Sequence, residues 1–150
     1  MEEFSDESFS DQVFHQYLSL LGASRRYARQ ILDERGLKQR EFSVLRFLLE
    51  SGPLTVGQVQ TYIHHSPSTT STLIAQMELK GYVTRTRSAK DNRVVIVELT
   101  DAGRVVAENT PLGGSPLLRR RLSTLSTKRL QQIGDVLVEL MYLMEDNKES

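Results

Sequence analysis

The sequence predicts a mainly α-helical chain with one small antiparallel β wing near its middle. Three observations carry that expectation. Apolar residues recur at three- and four-residue steps toward both ends, two helix-sized segments flanking a tight turn precede a β-rich pair, and Gly or Pro punctuates the junctions. Residues 1–150 are expected to form a single domain, with a central head over 37–105 and dimerisation helices over 9–35 and 106–147.

The first helix is expected from Phe9 to Arg35, because Phe14, Tyr17, Leu21, Ser24, Ala28 and Ile31 form one stripe. Gly22 weakens it and Gly36 stops it. A second helix, Gln39 to Ser51, places Phe42, Leu45 and Leu49 on one face and ends at Gly52-Pro53. Thr55 then caps a short helix that buries Val56, Val59 and Ile63. After a turn at His64-His65-Ser66, a further helix runs from Ser68 to Lys80, with Leu73, Ile74 and Met77 inward and Gly81 closing it. Tyr82 to Ser88 and Val94 to Leu99 are β-rich and joined through Ala89-Lys90-Asp91-Asn92 as a hairpin. Thr100 caps a helix reaching Asn109, and the two Pro and two Gly of residues 110–116 interrupt it. A short basic turn over Leu117 to Leu122 comes next. The last helix, Thr127 to Met144, carries Leu130, Ile133, Leu137, Leu140 and Met144 in a stripe.

Composition removes several function classes. The 150 residues hold no Cys, which excludes disulfides, thiolate metal sites, a cysteine nucleophile and sensing by thiol oxidation. The acidic start lacks the basic-then-apolar order of a signal peptide, and no apolar run approaches the roughly 18 residues that span a bilayer. A soluble, cytoplasmic protein without membrane contact is therefore expected. The 19 Lys and Arg balance the 19 Asp and Glu, yet the charges segregate. Glu2, Glu3, Asp6, Glu7 and Asp11 open the chain without a base, and Glu145, Asp146 and Glu149 outnumber Lys148 at its end. Between Lys80 and Arg93 the bases Lys80, Arg85, Arg87, Lys90 and Arg93 face only Asp91, and it is local charge that attracts a polyanion.

Two helices about a tight turn with a hairpin behind the second describe a winged helix-turn-helix. A helix of about 13 residues, roughly 20 Å long, fits the DNA major groove, where side chains near its N-terminus reach base edges. Ser66, Ser68, Thr69, Thr70, Thr72 and Gln76 are the candidate DNA-contacting residues of that helix; its small hydroxyls permit close approach and hydrogen bonding to phosphate or base. Each of the hydroxyls also fits a plain capping or solvent-facing role. Arg87, Lys90 and Arg93 are the candidate contacts from the wing, whose tip suits the backbone or a narrow minor groove. Asp91 and Arg85 are assigned to shaping the wing, Asp91 by accepting hydrogen bonds in the turn and Arg85 by an internal ion pair.

The stretches Leu54-Thr55-Val56-Gly57-Gln58-Val59, Ser71-Thr72-Leu73-Ile74, Lys80-Gly81-Tyr82-Val83, Asp91-Asn92-Arg93 and Leu99-Thr100-Asp101-Ala102-Gly103-Arg104 resemble the MarR family of transcriptional regulators. The resemblance covers residues 37 to 105, and the Asp-x-Arg wing followed by Leu-Thr-x-x-Gly is its more specific part. It implies a homodimer on a pseudo-palindromic operator, terminal helices forming the dimer interface, a recognition helix over Ser68 to Gln76, and Arg93 in the wing. Asn92 stands where many family members carry a base, and the 110–116 break interrupts a helix that is usually continuous. The resemblance also implies an aromatic or phenolic effector in a crevice lined here by Tyr17, Arg25, Tyr27 and Phe47, residues that read equally well as core.

The terminal stripes independently predict a dimer, because so small a head cannot cover both. Two recognition helices about 34–36 Å apart would then reach successive major grooves. His15, His64 and His65 lack metal-ligand spacing, so no metal or other cofactor is expected. No phosphate loop, nucleophile elbow or framed carboxylate pair supports an enzyme. The expected function is a sequence-specific double-stranded-DNA-binding regulator, a homodimeric repressor relieved by a small molecule. The competing reading is a winged-helix protein-interaction module without DNA contact, and a serine hydrolase is a remote third.

Overall fold

A computed structural model describes residues 8–145, so the acidic residues before Ser8 and the tail from Asp146 lie outside the described residues. The elements run α1 (Phe9–Tyr27), α2 (Gln39–Ser51), β1 (Leu54–Thr55), α3 (Val56–Ile63), α4 (Pro67–Leu79), β2 (Val83–Arg87), β3 (Val95–Leu99), α5 (Asp101–Asn109), α6 (Gly114–Leu122) and α7 (Thr127–Met144). They divide after Pro116 into two compact units.

In the first unit, Ser8 caps α1, its Oγ accepting from the Asp11 N–H at 3.2 Å. The helical path continues to Arg35 as the stripe predicts, but through a π turn at Ala28–Leu32 and a 3-10 turn at Asp33–Arg35. A π turn carries an extra residue and rotates the helix beyond it. Leu32 is thereby fully buried while Ile31 packs at the core's edge. Gly36, at φ +64°, supplies the left-handed stop.

Phe42, Val44, Leu45 and Leu48 of α2 form the centre of the core, joined by Leu37, Leu54, Val59, Leu73, Ile74, Met77, Val83, Val97 and Ala107. Leu49, expected on the buried face of α2, is only half-buried. Thr55 and Gln58 cap α3 reciprocally: Thr55 Oγ1 accepts from the Gln58 N–H at 3.1 Å and Gln58 Oε1 from the Thr55 N–H at 2.8 Å. The helix ends at His64, in the left-handed region at φ 52°. Recognition-helix candidate α4 begins one residue before the expected start, because Ser66 is the cap and Pro67 occupies the first helical position, where a missing N–H costs nothing.

The sheet has the order β1-β3-β2, antiparallel throughout, with Val83 opposite Leu99 and Arg87 opposite Val95. Of this sheet, the residue pattern predicts only the hairpin. β1 is two residues long, too short to leave a period, and pairs Leu54 with Val97. The Leu-Thr-x-x-Gly motif has a direct cause here. Thr100 caps α5 by accepting from the Gly103 N–H at 3.0 Å, while its own N–H donates to the Tyr82 carbonyl at 3.1 Å. That carbonyl oxygen lies 2.0 Å from where a Cβ on Gly103 would sit, so only glycine fits.

The interruption expected over 110–116 is shorter, because α6 starts at Gly114, with φ +58°, and takes Pro116 into its first turn. Tyr27 explains the paired glycines. Its hydroxyl donates to the Pro111 carbonyl at 2.7 Å, and a Cβ on Gly113 or Gly114 would lie 2.3 or 2.9 Å from its ring. Burial pushes the Tyr27 phenol up, and a Gly113 backbone hydrogen bond with nearby Arg35 and Arg46 pulls it partly back.

The second unit comprises the rest of α6, a turn in which Ser126 caps α7 from the Arg129 N–H at 3.2 Å, and α7 itself. Within the described chain neither α1 nor α7 has a fully buried residue. Phe14, Leu18 and Leu21 of α1 and Leu137, Met141 and Met144 of α7 are exposed. No helix among the described residues is long and apolar enough to cross a membrane.

Substituting Gly103→Ala is expected to lower stability by about 1–3 kcal/mol, because the Cβ meets a fixed backbone carbonyl rather than a flexible side chain. Urea unfolding of the two proteins measures it, and an unchanged midpoint contradicts the assignment.

Candidate nucleic-acid interface

Helix α4 presents two chemically unlike faces. Thr70, Leu73, Ile74 and Met77 are buried, whereas Ser68, Thr69, Ser71, Thr72 and Gln76 are exposed. At about 100° per residue, Ser68, Ser71 and Thr72 form an outward stripe that also takes in Ala75 and Leu79. Leu79 is 88% exposed, an apolar end to an otherwise hydroxyl-rich surface.

Two furrows flank this stripe. One, of about 540 Å³, lies between the start of α2 and α4 and is lined by Lys38, Gln39, Arg40, Ser68, Thr69, Thr72, Leu73 and Gln76. The other, of about 460 Å³, lies between α3, α4 and the wing and is lined by Thr55, Val56, Gly57, Ser71, Ile74, Arg85, Arg93, Val94 and Val95.

The position of α4 is held from inside. Glu41, the third residue of α2, is fully buried, and its carboxylate accepts from Lys80 Nζ at 2.7 and 2.9 Å and from the Lys38 N–H at 3.0 Å. Lys80 Nζ also donates to the Gly36 carbonyl at 3.1 Å. One ammonium therefore ties the C-terminal end of α4 to both the entry of α2 and the turn before it.

The wing is internally braced. Arg85 Nη2 pairs with Glu78 Oε1 at 2.9 Å, and the Arg85 backbone N–H donates to Glu78 Oε2 at 3.1 Å, so α4 is stapled to β2. Arg85 holds the Glu78 carboxyl below its ordinary range, chiefly through that side-chain hydrogen bond. Asp91 Oδ1 accepts from the Arg93 N–H at 3.0 Å and lies 3.4 Å from Arg93 Nε. Arg87 Nη1 donates to the Asn92 carbonyl at 2.8 Å, closing the tip. Lys90 is exposed at that tip.

Known proteins share this arrangement. The model of the MarR family matches residues 35–93. That span holds α2, α3, α4 and β2, both furrows' α-helical walls, and the turn carrying Asp91 and Arg93. The winged helix of this chain is thus similar to that of the MarR family over residues 35–93.

Among its relatives, the HTH-type transcriptional repressor MdtR of Bacillus subtilis is 25% identical over 118 residues, spanning 79% of this chain and 76% of that protein. The structure of reduced AbfR bound to DNA is similar at 25% identity and a TM-score of 0.60, covering 91% of this chain and 94% of that one. NadR, solved in complex with 4-hydroxyphenylacetate, shares the fold at 20% identity and a TM-score of 0.58, covering 93% and 96%. The proteins this chain resembles are named as transcriptional regulators, and AbfR is solved on DNA.

Within this winged-helix head the sequence-derived residues fare unequally. Ser68, Thr69, Thr72 and Gln76 are exposed beside the first furrow, and Arg85 and Asp91 have the bracing partners expected of them. Thr70 is corrected: it has no exposed surface, and its Oγ1 donates to the Ser66 carbonyl at 3.0 Å, so it faces the core and reaches no ligand. Ser66 is exposed but acts as the cap, its Oγ accepting from the Thr69 N–H at 3.2 Å. Ser71, Lys38 and Arg40 escape sequence reasoning. Ser71 comes one helical step after Ser68, a readable signal, whereas the bases before Glu41 come next to α4 only through the Glu41–Lys80 tie.

The four residues assigned to an effector crevice do not line either furrow. Tyr27 is engaged with Pro111, and Phe47 stacks on Tyr62 with ring centroids 4.1 Å apart. His64 and His65 fall in the turn before α4, and among the described residues no group of three or more His, Asp or Glu is arranged to hold a metal.

The Glu78 carboxyl should return to its ordinary range when Arg85 is replaced by Ala. Carboxyl-carbon titration by NMR reads this directly. Because the folded-state value is depressed, the pair's contribution to stability exists above the unfolded-state value and is lost as pH falls through the folded one. The Arg85→Ala protein should lose less stability on acidification over that interval than the parent, and an equal loss contradicts the pairing.

Proposed function

We propose that this chain is a homodimeric repressor that binds a pseudo-palindromic double-stranded operator, inserting α4 into the major groove and bracing the flank with the wing. The observation that carries the reading is the hydroxyl-rich outward stripe of α4 lying between two base-bearing furrows. Ser68, Thr72 and Gln76, with Ser71 beside them, probe base edges; Thr69 and the helix start face phosphate. Arg87, Lys90 and Arg93 set the wing against the backbone or the minor groove.

Dimerisation accounts for the exposed apolar faces of α1 and α7, which water alone would leave unfavourably hydrated. It also supplies two recognition helices, as a pseudo-palindrome requires. The relative named as a repressor supports the direction of regulation, and the NadR fold with its aromatic ligand supports relief by a small aromatic or phenolic acid. Such a ligand acts by favouring one spacing of the two heads over another. A regulator of this kind works in the cytoplasm, where its DNA is.

Selection of duplexes by the purified protein from a random-sequence pool tests the proposal. The selected duplex should contain two related half-sites about one helical turn apart. Its affinity should fall steeply between about 50 and 200 mM salt, roughly a thousandfold if six or more phosphates are neutralised. No enrichment, together with salt-insensitive association, would leave the interaction-module reading in its place.

A further inference from the structure

Helix α4 carries no Lys or Arg between Ser66 and Leu79, and Glu78 is the one acidic residue in that span. A DNA-reading helix of this composition must borrow its positive charge from neighbours. In the wing-side furrow each arginine has a carboxylate beside it that offsets its charge, Arg85 with Glu78 at 2.9 Å and the exposed Arg93 with Asp91 at 3.4 Å. In the α2-side furrow, Lys38 and Arg40 have no carboxylate within ion-pair distance among the described residues. Both are exposed.

The α4 residues lining the two furrows differ in direction. Ser68, Thr69, Thr72, Leu73 and Gln76 line the first, and Ser71 and Ile74 the second. At about 100° per residue these sets lie on roughly opposite sides of the helix. A helix seated in a major groove about 12 Å wide has one sugar-phosphate strand on each side. Each furrow thus corresponds to one strand.

We infer that the furrow between α2 and α4 is the principal phosphate-binding slot of this protein, with Lys38 and Arg40 neutralising the backbone strand that passes there, while the wing-side furrow guides its strand more by shape than by free charge. The inference rests on the DNA-binding reading above and assigns charged groups outside the helix and the wing. Glu41 strengthens the case: its carboxylate is buried and neutralised by Lys80, so it does not oppose phosphate at the slot despite its place beside Arg40. Arg40 offers a planar fork to phosphate oxygens, and Lys38 a compact charge beside it.

The test compares the parent protein with K38A/R40A, K38R/R40K and Q76A, each on the duplex the parent selects and on an unrelated duplex of equal length. Association constants are taken across a salt series, and urea unfolding checks that every variant is folded. For K38A/R40A the affinity should drop at least tenfold on both duplexes, and the slope of log K against log salt should shrink by about 0.9 for each phosphate no longer neutralised. K38R/R40K should keep the slope, since charge is retained. Q76A should weaken the selected duplex more than the unrelated one and leave the slope in place. A folded K38A/R40A protein with the parent's slope overturns the inference while DNA binding stands. A parent protein that captures no duplex overturns the DNA-binding reading itself, and the inference with it.

Discussion

The arrangement of the head depends on one buried carboxylate. Glu41 is fully enclosed, and its charge is tolerable only because Lys80 and the Lys38 N–H converge on it. Lys80 closes α4 and Glu41 opens α2, so the pair fixes the far end of α4 against the entry of its neighbour. Removing Lys80 is the costly change, up to about 3–5 kcal/mol, because Glu41 is then left buried and uncompensated, whereas Lys80 reaches water. A hydrophobic contact at the same place would hold the helices together without setting the rotation of one about the other. The ion pair, with its extra bond to the Gly36 carbonyl, is directional.

That geometry changes the meaning of the basic run between Lys80 and Arg93. Along the chain, it is a patch of positive charge. In three dimensions Lys80 turns inward to Glu41, Arg85 to Glu78 and Arg93 to Asp91, and Arg87 closes on the Asn92 carbonyl. Most of the run is bracing that holds α4 and the wing in register. Bases without such partners lie at the start of α2, brought beside α4 by the same tie that absorbs Lys80. Free positive charge on this face is thus set by which bases are left over after the fold has used the others.

Much of this was legible in the sequence because local rules and tertiary structure agree here. The caps at Thr55 and Thr100, the stop at Gly36, the hairpin and both long terminal helices lie where residue pattern alone places them, and α4 starts one residue early. The discrepancies have separate physical origins. β1 exists only because Val97 and Ile96 present an open edge to Leu54 and Thr55, a pairing invisible to a two-residue window. Thr70 shares its composition with exposed neighbours, and only helical phase turns it inward, where its hydroxyl is satisfied by the Ser66 carbonyl. The glycines at 113 and 114 read as a helix break, yet their absent side chains make room for the Tyr27 ring from a segment far earlier in the chain. Spacing conveys periodicity well; it conveys neither which charge is spent internally nor which glycine faces an aromatic ring.

The buried Glu41–Lys80 pair orients α4. Replacing it with apolar residues of similar size, Glu41→Leu with Lys80→Met in one protein, separates orientation from stability, because such swaps are often neutral in stability. Amide hydrogen exchange on that double variant is the direct measurement. The unfolding midpoint should stay near the parent's, with faster exchange over the C-terminal turns of α4 while the β2–β3 amides keep their protection. Unaltered protection throughout α4 would contradict that role of the pair and leave hydrophobic packing as sufficient to position the helix.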